Sequence, residues 1–251
     1  MSIDLVIPNY NGLALLKENL PSVMGEIERY MESIIIVDDG SDKDEFDGLS
    51  DFVKDKNIIL LRNEKNLGFS STVNRGVKES KADFVALLNT DVLPEKDFLA
   101  ASLKDLESDE NLFGVGFMDK SIEDGKTVLR GRGLARWEKG FLVHSRGEID
   151  RTDTFWISGG SSIIRRDLFG KLSGFDPLYN PFYWEDIDLS YRARKAGFDI
   201  KFEPKSVVEH RHLAGSIKKH YSHFQVKTIA YRNQFIFVWK NITDFNLIMS
   251  H

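Results

Sequence analysis

The first half of the chain alternates short apolar runs with stretches of helical periodicity. Runs rich in Ile, Val and Leu predict buried strands at residues 3–7, 34–37, 58–61 and 84–88. The stretches between them predict helices at residues 13–28, 42–54 and 68–79. Continuous apolar strands separated by helices favour an α/β fold in which helices flank a mostly parallel sheet.

Polar residues follow three of these predicted strands. They form the clusters Pro8-Asn9-Tyr10-Asn11, Asp38-Asp39-Gly40 and Asn89-Thr90-Asp91. Taken alone, Asp38-Asp39-Gly40 and Asn89-Thr90-Asp91 also match ordinary turns, and Tyr10 is equally consistent with a ring that only caps the core. Because ligands collect at the carboxyl ends of parallel strands, the three together predict a binding site at one edge of the sheet.

The second half of the chain has a less regular pattern. Residues 118–147 are rich in glycine and basic residues and predict hairpins and loops. Residues 155–164 resemble a strand around Gly159-Gly160, and residues 186–196 predict a helix. From about residue 215 the pattern predicts a helical tail.

Composition narrows the class of protein. Of the 251 residues, 41% are hydrophobic and 29% are charged, which is typical of a soluble globular protein. With a net charge of −5, the chain lacks the excess of basic residues that is typical of nucleic-acid-binding proteins. The absence of cysteine excludes disulfides, thiolate metal sites and a cysteine nucleophile. With no signal-peptide pattern at the N-terminus, we expect a cytoplasmic protein that at most contacts the membrane peripherally.

Three carboxylates fall within four residues in Glu185-Asp186-Ile187-Asp188, next to the aromatic pair Tyr183-Trp184. Crowded carboxylates repel one another, which raises the pKa of one of them and suits it to take a proton near neutral pH. On a helix, Glu185 and Asp188 share a face, whereas Asp186 points elsewhere. The alternative is an acidic helix start that only stabilises the helix dipole.

Two histidines follow a further apolar pair. His210 and His212 occupy alternate positions, so on an extended strand they project from one face and suit metal ligation. A structural or surface pair of histidines fits the same pattern.

The ordered set of segments resembles family-2 glycosyltransferases of the GT-A fold, especially bacterial rhamnosyltransferase-like members, over roughly residues 3–241. The matching segments are Val6-Ile7-Pro8-Asn9-Tyr10-Asn11-Gly12, Ile36-Val37-Asp38-Asp39-Gly40-Ser41, Asn66-Leu67-Gly68-Phe69 with Asn74 and Gly76, Leu87-Leu88-Asn89-Thr90-Asp91, Gly159-Gly160, Gly174-Phe175-Asp176 and Trp184-Glu185-Asp186-Ile187-Asp188-Leu189. Each segment is common, but the ordered set is specific.

The resemblance implies a nucleotide-diphosphate sugar as donor and a divalent cation, Mn²⁺ or Mg²⁺, as cofactor. The implied donor-binding residues are Pro8, Asn9, Tyr10, Asp39, Asn66, Gly68, Asn74, Asn89 and Thr90. Asp91 would bind the cation together with His210 or His212. Because Asp91 is the only carboxylate in its triplet, the cation also depends on the donor phosphates.

On the acceptor side, the resemblance implies that Asp186 is the general base of an inverting transfer and that Glu185 supports it. Gly160, Tyr183 and Trp184 would contact the acceptor. That acceptor is expected to be a saccharide or lipid-linked saccharide in cell-surface polysaccharide synthesis, and no nucleic acid is expected as a partner.

The resemblance also predicts a domain organisation. Residues 1–214 form a GT-A catalytic domain, with a donor half at 1–117 and an acceptor half at 118–214, and residues 215–251 form a helical extension. Bases and aromatics are interleaved along residues 217–248. This segment either docks peripherally on an anionic membrane or packs on the catalytic domain or on a second subunit of a homodimer.

Two other functions remain open at this point. A sugar-1-phosphate nucleotidyltransferase would need a basic, glycine-rich loop after the first strand, where this chain has no base before Lys17. A non-catalytic module that binds glycans or nucleotide sugars would keep Asp39 but lose the carboxylates of residues 184–188.

Overall fold

The computed structural model describes residues 1–27, 29–30, 32–123, 126–210 and 220–251. The first half forms the strands β1 (Ile3–Asn9), β2 (Ser33–Asp38), β3 (Ile58–Arg62) and β4 (Phe84–Leu88). The helices between them are α1 (Leu13–Ile27), α2 (Lys43–Val53) and α3 (Phe69–Glu79). All seven elements predicted from the apolar pattern are confirmed, close to their predicted bounds.

These four strands pair in parallel, in the order β3-β2-β1-β4. Alternate residues of β1 face opposite sides of the sheet, and both sides are covered. Leu5 belongs to the apolar cluster that contains Leu16 of α1, whereas Val6 belongs to the one that contains Val73 of α3. The carboxyl ends of the strands therefore meet at one edge, as the sequence predicts.

The second half extends the same sheet. Its strands are β5 (Val92–Pro94), β6 (Leu112–Glu123), β7 (Lys126–Arg130), β8 (Gly133–Glu138), β9 (Phe141–Arg146), β10 (Ser161–Arg165) and β11 (Asp199–His210). Its helices are α4 (Ala100–Ser108), α5 (Arg166–Lys171) and α6 (Glu185–Lys195), and a 3₁₀ turn forms at Pro177–Tyr179. The sheet continues past β4 as β10-β6-β11-β5, with β7 on the far end of β6.

Three sequence-based expectations concern this half of the chain. The predicted strand at residues 155–164 is wrong for most of its length, because Gly159-Gly160 form a turn and the strand begins only at Ser161. The hairpins predicted within residues 118–147 are confirmed as β6–β7 and as the separate hairpin β8–β9. The expected boundary between residues 117 and 118 falls inside β6, so the donor and acceptor halves share one sheet.

The C-terminal tail forms α7 (His223–Asn241) and α8 (Phe245–Ser250). One face of α7 packs on the catalytic body, where Phe237 and Val238 are fully buried in a cluster with Trp184 and Leu142. No helix in the described part of the chain is long and apolar enough to cross a membrane.

A buried polar seam fastens α7 to the segment that precedes α6. The fully buried carboxylate of Asp188 accepts hydrogen bonds from the Tyr179 hydroxyl, Arg192, Lys240 and Asn241. Lys240 therefore faces the body of the protein, where it also pairs with Asp176 at 2.6 Å, and is not one of the outward bases that a membrane contact would use.

Asn233 of α7 closes this seam. Its buried amide donates to the backbone carbonyls of Tyr179, Phe182 and Tyr183, at 2.8–2.9 Å. One side chain of the tail thus satisfies three carbonyls of the segment that leads into Glu185 and Asp186.

We expect Asn233→Ala to lower the free energy of unfolding by about 1–3 kcal/mol, because it leaves buried carbonyls without a donor. Urea unfolding monitored by tryptophan fluorescence measures this change. Thr228→Ala, at an exposed position of the same helix, should change stability by no more than about 0.5 kcal/mol. Equal effects of the two substitutions would contradict a fastening role for Asn233.

Candidate active site

The triplet Asn89-Thr90-Asp91 lies directly after β4, against the turn at Gly159-Gly160. The backbone N–H of Asn89 donates a hydrogen bond to the backbone carbonyl of Gly160, with nitrogen and oxygen 3.0 Å apart. A Cβ on Gly160 would lie 2.2 Å from the side-chain nitrogen of Asn89, so only glycine permits this approach. Thr90 and Asp91 are buried, and the Thr90 carbonyl accepts a hydrogen bond from Asn19.

Asp91 lies beside His210, and the carboxylate of Asp119 contacts the other ring nitrogen of the same histidine. The Nε2 atom of His210 lies 3.3 Å from Oδ1 of Asp91, and its Nδ1 atom lies 2.7 Å from Oδ2 of Asp119. Burial alone would lower the pKa of His210, but the two carboxylates outweigh this and raise it to about 9. Of the two histidines that the sequence offered, the structure places His210 beside Asp91, whereas His212 lies outside the described residues.

The positions of Asp91 and His210 fit two ligands of one divalent cation. Two adjacent ligands of an octahedral ion at about 2.1 Å lie roughly 3 Å apart, close to the separation of Asp91 Oδ1 and His210 Nε2. In the described part of the chain, no three His, Asp or Glu side chains group to hold an ion by themselves. Asp119 occupies the other ring nitrogen, the usual partner that orients a ligating histidine.

Asp39 lies at the end of β2, where the nucleoside is expected. Its buried carboxylate accepts hydrogen bonds from the Asn63 side chain at 2.7 Å and from the amides of Leu67 and Gly68, both at 2.9 Å. A carboxylate has about four acceptor positions, so three are used to hold the loop and one remains.

Asn9 and its neighbours line the end of β1. The buried side-chain nitrogen of Asn9 donates to Asp38 at 2.9 Å. The side-chain oxygen of Asn9 has no hydrogen-bond partner among the described residues. Pro8 and Tyr10 are half-buried on either side of it. The ring of Tyr10 lies 5.4 Å from that of His220.

The other predicted donor residues lie on the loop between β3 and α3 or on α3 itself. Gly68 has a φ of 87° and lies against Asn180, whose side chain donates to Leu67 and to Ser71. Asn74 exchanges two hydrogen bonds with the backbone of Phe175, at 2.7 and 2.9 Å. Asn66 is exposed on the same loop.

The carboxylates at the start of α6 differ in environment. Asp186 is half-buried and accepts a hydrogen bond from the backbone amide of Ile187 at 2.8 Å. Burial raises its pKa to about 6, and the nearby backbone amides of Ile187 and Gly159 oppose that rise. Glu185 is buried, with Oε2 unpartnered among the described residues, and burial and the charge of Asp186 raise its pKa well above the usual range. Asp188 is fully bonded in the buried seam.

The residues before α6 have an unusual backbone. Tyr183 and Trp184 have φ values of 71° and 78°, a region that costs non-glycine residues roughly 1–3 kcal/mol each. Trp184 is buried with its ring centroid 5.3 Å from that of Phe237, so it supports the segment from beneath. Tyr183 is 42% exposed and lies near Glu185 and Asp186.

The sequence reasoning missed Asp119, Asn180 and Asn233. Asp119 lies in a segment predicted as loops, and it reaches His210 only because β6 pairs with β11. Asn180 and Asn233 act on backbone groups more than 50 positions away, for which the sequence carries no local signal.

Comparison with known proteins shows to which family the chain is similar. The family model described as Glycosyl transferase family 2 matches residues 4–173. The pre-mycofactocin glycosyltransferase of Mycobacterium tuberculosis is 25% identical over 222 residues, which is 84% of this chain and 43% of that protein. The poly-beta-1,6-N-acetyl-D-glucosamine synthase of Staphylococcus epidermidis is 22% identical over 207 residues, 82% of this chain and 48% of that protein.

Among solved structures, GalNAc-T7 with UDP, GalNAc and Mn²⁺ superposes with a TM-score of 0.73 at 19% identity, over 84% of this chain and 44% of that one. This likeness confirms the GT-A fold. The chain spans less than half the length of each of these three proteins. The finer expectation of a rhamnosyltransferase-like enzyme is not confirmed by these relatives. Because the family model covers more than half of the chain, the protein belongs to glycosyl transferase family 2.

Proposed function

We propose that the chain catalyses an inverting, metal-dependent transfer of a hexosyl or deoxyhexosyl unit. The donor is a nucleoside-diphosphate sugar, and the acceptor is a saccharide or lipid-linked saccharide in cell-surface polysaccharide synthesis. One observation carries the proposal: the backbone of Gly159 lies beside Asp186, and the next residue, Gly160, accepts a hydrogen bond from Asn89 of the triplet at 3.0 Å. A base and a cation site thus meet at one turn.

On the donor side, the remaining acceptor position of Asp39 suits an N–H or hydroxyl group of a nucleoside. Asn9, whose side-chain oxygen is buried, bonds to Asp38 at the same edge of the sheet. Pro8 and Tyr10 flank it. Asp91 and His210 would hold the cation, which when bound neutralises charge on the departing diphosphate.

On the acceptor side, Asp186 takes the proton of the attacking hydroxyl. Its pKa near 6 leaves it ionised at neutral pH yet basic enough to accept a proton. Burial and the charge of Asp186 raise the pKa of Glu185 well above its usual range, which favours the protonated form of Glu185 beside an ionised Asp186. No carboxylate serves as a covalent nucleophile, so a single displacement inverts the anomeric centre.

We further propose the division of labour that the sequence suggested. Residues 1–117 bind the donor, residues 118–214 provide the base and the acceptor surface, and the described part of 215–251 supports the segment that carries the base.

Asp186→Asn should lower the transfer rate by about 10²–10⁴-fold, because the amide cannot accept the proton. In the parent protein, the rate should rise with pH through about 6 as Asp186 ionises, and then level off. Nucleoside diphosphate release from the donor, measured between pH 5 and 9, tests both. Asp150→Asn, an exposed substitution, is the matched control.

Measuring the stability of Asp186→Asn distinguishes a loss of catalysis from a loss of folded structure. A carboxyl whose pKa is raised in the fold keeps its proton while the unfolded chain ionises, so stability falls between about pH 4 and 6 and stays lower above that. Asp186→Asn should therefore stabilise the protein by roughly 1–2 kcal/mol at pH 7.5 and leave it nearly unchanged at pH 4. A variant that is inactive and less stable at pH 7.5 would contradict the role of Asp186.

Nucleoside diphosphates with Mn²⁺ should raise the melting temperature of the parent by roughly 5–10 °C at about a hundredfold excess over Kd. Asp91→Asn should lose most of the rise in melting temperature that requires Mn²⁺, because the substitution removes the only carboxylate of the triplet. Asp150→Asn should keep it. If Mn²⁺ makes no difference to the parent, Asp91 and His210 do not form the cation site.

We also propose that the outer face of α7 rests on an anionic membrane. Phe224, Tyr231 and Trp239 are 79%, 63% and 69% exposed on this face. His223–Asn241 contains no acidic residue, and Lys227 is exposed on it. Exposed aromatics with basic neighbours and no acid suit an interfacial helix.

The paired substitution Phe224→Ser and Trp239→Ser should lower co-sedimentation with phosphatidylglycerol-containing vesicles by about fivefold or more, since it removes two interfacial anchors. Leu178→Ser, which removes an exposed apolar side chain elsewhere, should not. Equal binding of all three proteins would refute the membrane contact. Self-association that the paired substitution abolishes would assign the face to a second copy of the chain.

A further inference from the structure

A groove of about 450 Å³ opens next to the Gly159-Gly160 turn. Its lining includes residues 144–146 of β9, residues 130–132 at the end of β7 and just after it, and Trp156, Ser158 and Ser161. Asp119, the partner of His210, lies along its wall. Ser158 and Ser161 also line it, on either side of the Gly159-Gly160 turn that contacts Asp186 and Asn89. The groove therefore leads to the place where donor and base meet.

The charges along the groove are mostly positive. Its lining contains Arg130, Arg132 and Arg146 but only one carboxylate, Asp119, which His210 and Ser121 already engage. This excess stands out in a chain whose net charge is −5.

Two of the three arginines, Arg132 and Arg146, differ in what they already bind. Arg132 is buried and donates to the backbone and carboxylate of Asp153, so it secures the groove wall. Arg146, at the end of β9, is exposed and has no ion pair among the described residues. Its planar guanidinium is suited to bidentate contact with a carboxylate or phosphate.

An aromatic wall lies in the same groove. The ring centroid of Trp156 lies 5.6 Å from that of His144, which lies 5.3 Å from that of Trp184. Burial lowers the pKa of His144, so at neutral pH it adds a polar edge without a charge. Aromatic faces offer apolar contact to the C–H face of a sugar ring, and the arginine lies on the same lining.

We propose that this groove binds an acceptor sugar that carries an anionic group, a carboxylate or a phosphate, and that Arg146 recognises that group with Arg130 beside it. The inference rests on the proposed transferase function and specifies its acceptor. Trp156 and His144 contact the sugar ring while Arg146 fixes the end that carries the charge. The hydroxyl to be glycosylated then faces the turn at Gly159.

Three sugars serve as probes: methyl glucoside, methyl glucuronide and glucose 1-phosphate. Their binding is measured by isothermal titration calorimetry in saturating UDP and Mn²⁺, so that the donor site is filled. We expect at least one anionic sugar to bind about tenfold or more tightly than the neutral glucoside, and less tightly at high salt. Whether the glucuronide or the phosphate binds better identifies the anionic group.

Arg146→Ala should remove most of this preference, and Arg146→Lys should restore part of it, because the charge returns without the bidentate geometry. Arg136→Ala is the matched control, since Arg136 is an exposed arginine of the same hairpin that pairs with Glu138. Equal binding of neutral and anionic sugars to the parent, or an undiminished preference in Arg146→Ala, would overturn the proposal.

The UDP–Mn²⁺ thermal shift is recorded for every variant. Failure of the donor site in the parent protein would count against the transferase function itself. An intact donor site with no anion preference would count only against this groove.

Discussion

The buried carboxylate of Asp188 holds together three segments that are distant in the sequence. An ionised group inside a protein is tolerated only when its partners are complete, and removing one costs several kcal/mol. Here the partners come from the 3₁₀ turn (Tyr179), from α6 itself (Arg192) and from α7 (Lys240 and Asn241). The segment that carries Glu185 and Asp186 is therefore fixed only when the C-terminal helix is docked.

This arrangement explains how two costly features persist beside each other. Tyr183 and Trp184 keep left-handed backbones, and Glu185 is buried without a full set of hydrogen bonds. Both destabilise the segment locally. The three carbonyl contacts of Asn233 and the buried ring of Trp184 offset that cost from outside the segment. The stability of α7 thus maintains an environment in which Asp186 has a raised pKa.

The sequence predicted the first half of the fold well because a parallel strand that is buried on both faces appears in the sequence as a short continuous apolar run. It also predicted the polar clusters at the strand ends, since parallel topology alone brings Asp39 and Asp91 to one edge. The strand at residues 155–164 was predicted wrongly because two glycines interrupt an apolar run. Asp119 and Asn233 could not be predicted, because their roles depend on β6 pairing with β11 and on where α7 docks.

The charges of the site also explain why its two ends differ in sign. The donor end presents Asp91 and Asp119 around one histidine, a surface that attracts a cation and through it a diphosphate. The groove end presents arginines, a surface that attracts an anion. An anionic acceptor and an anionic donor would repel each other strongly where little water screens them. In the proposed reaction each end would neutralise its own substrate, so the acceptor hydroxyl would approach the anomeric carbon without that repulsion, and Asp186 would carry the remaining negative charge at the turn.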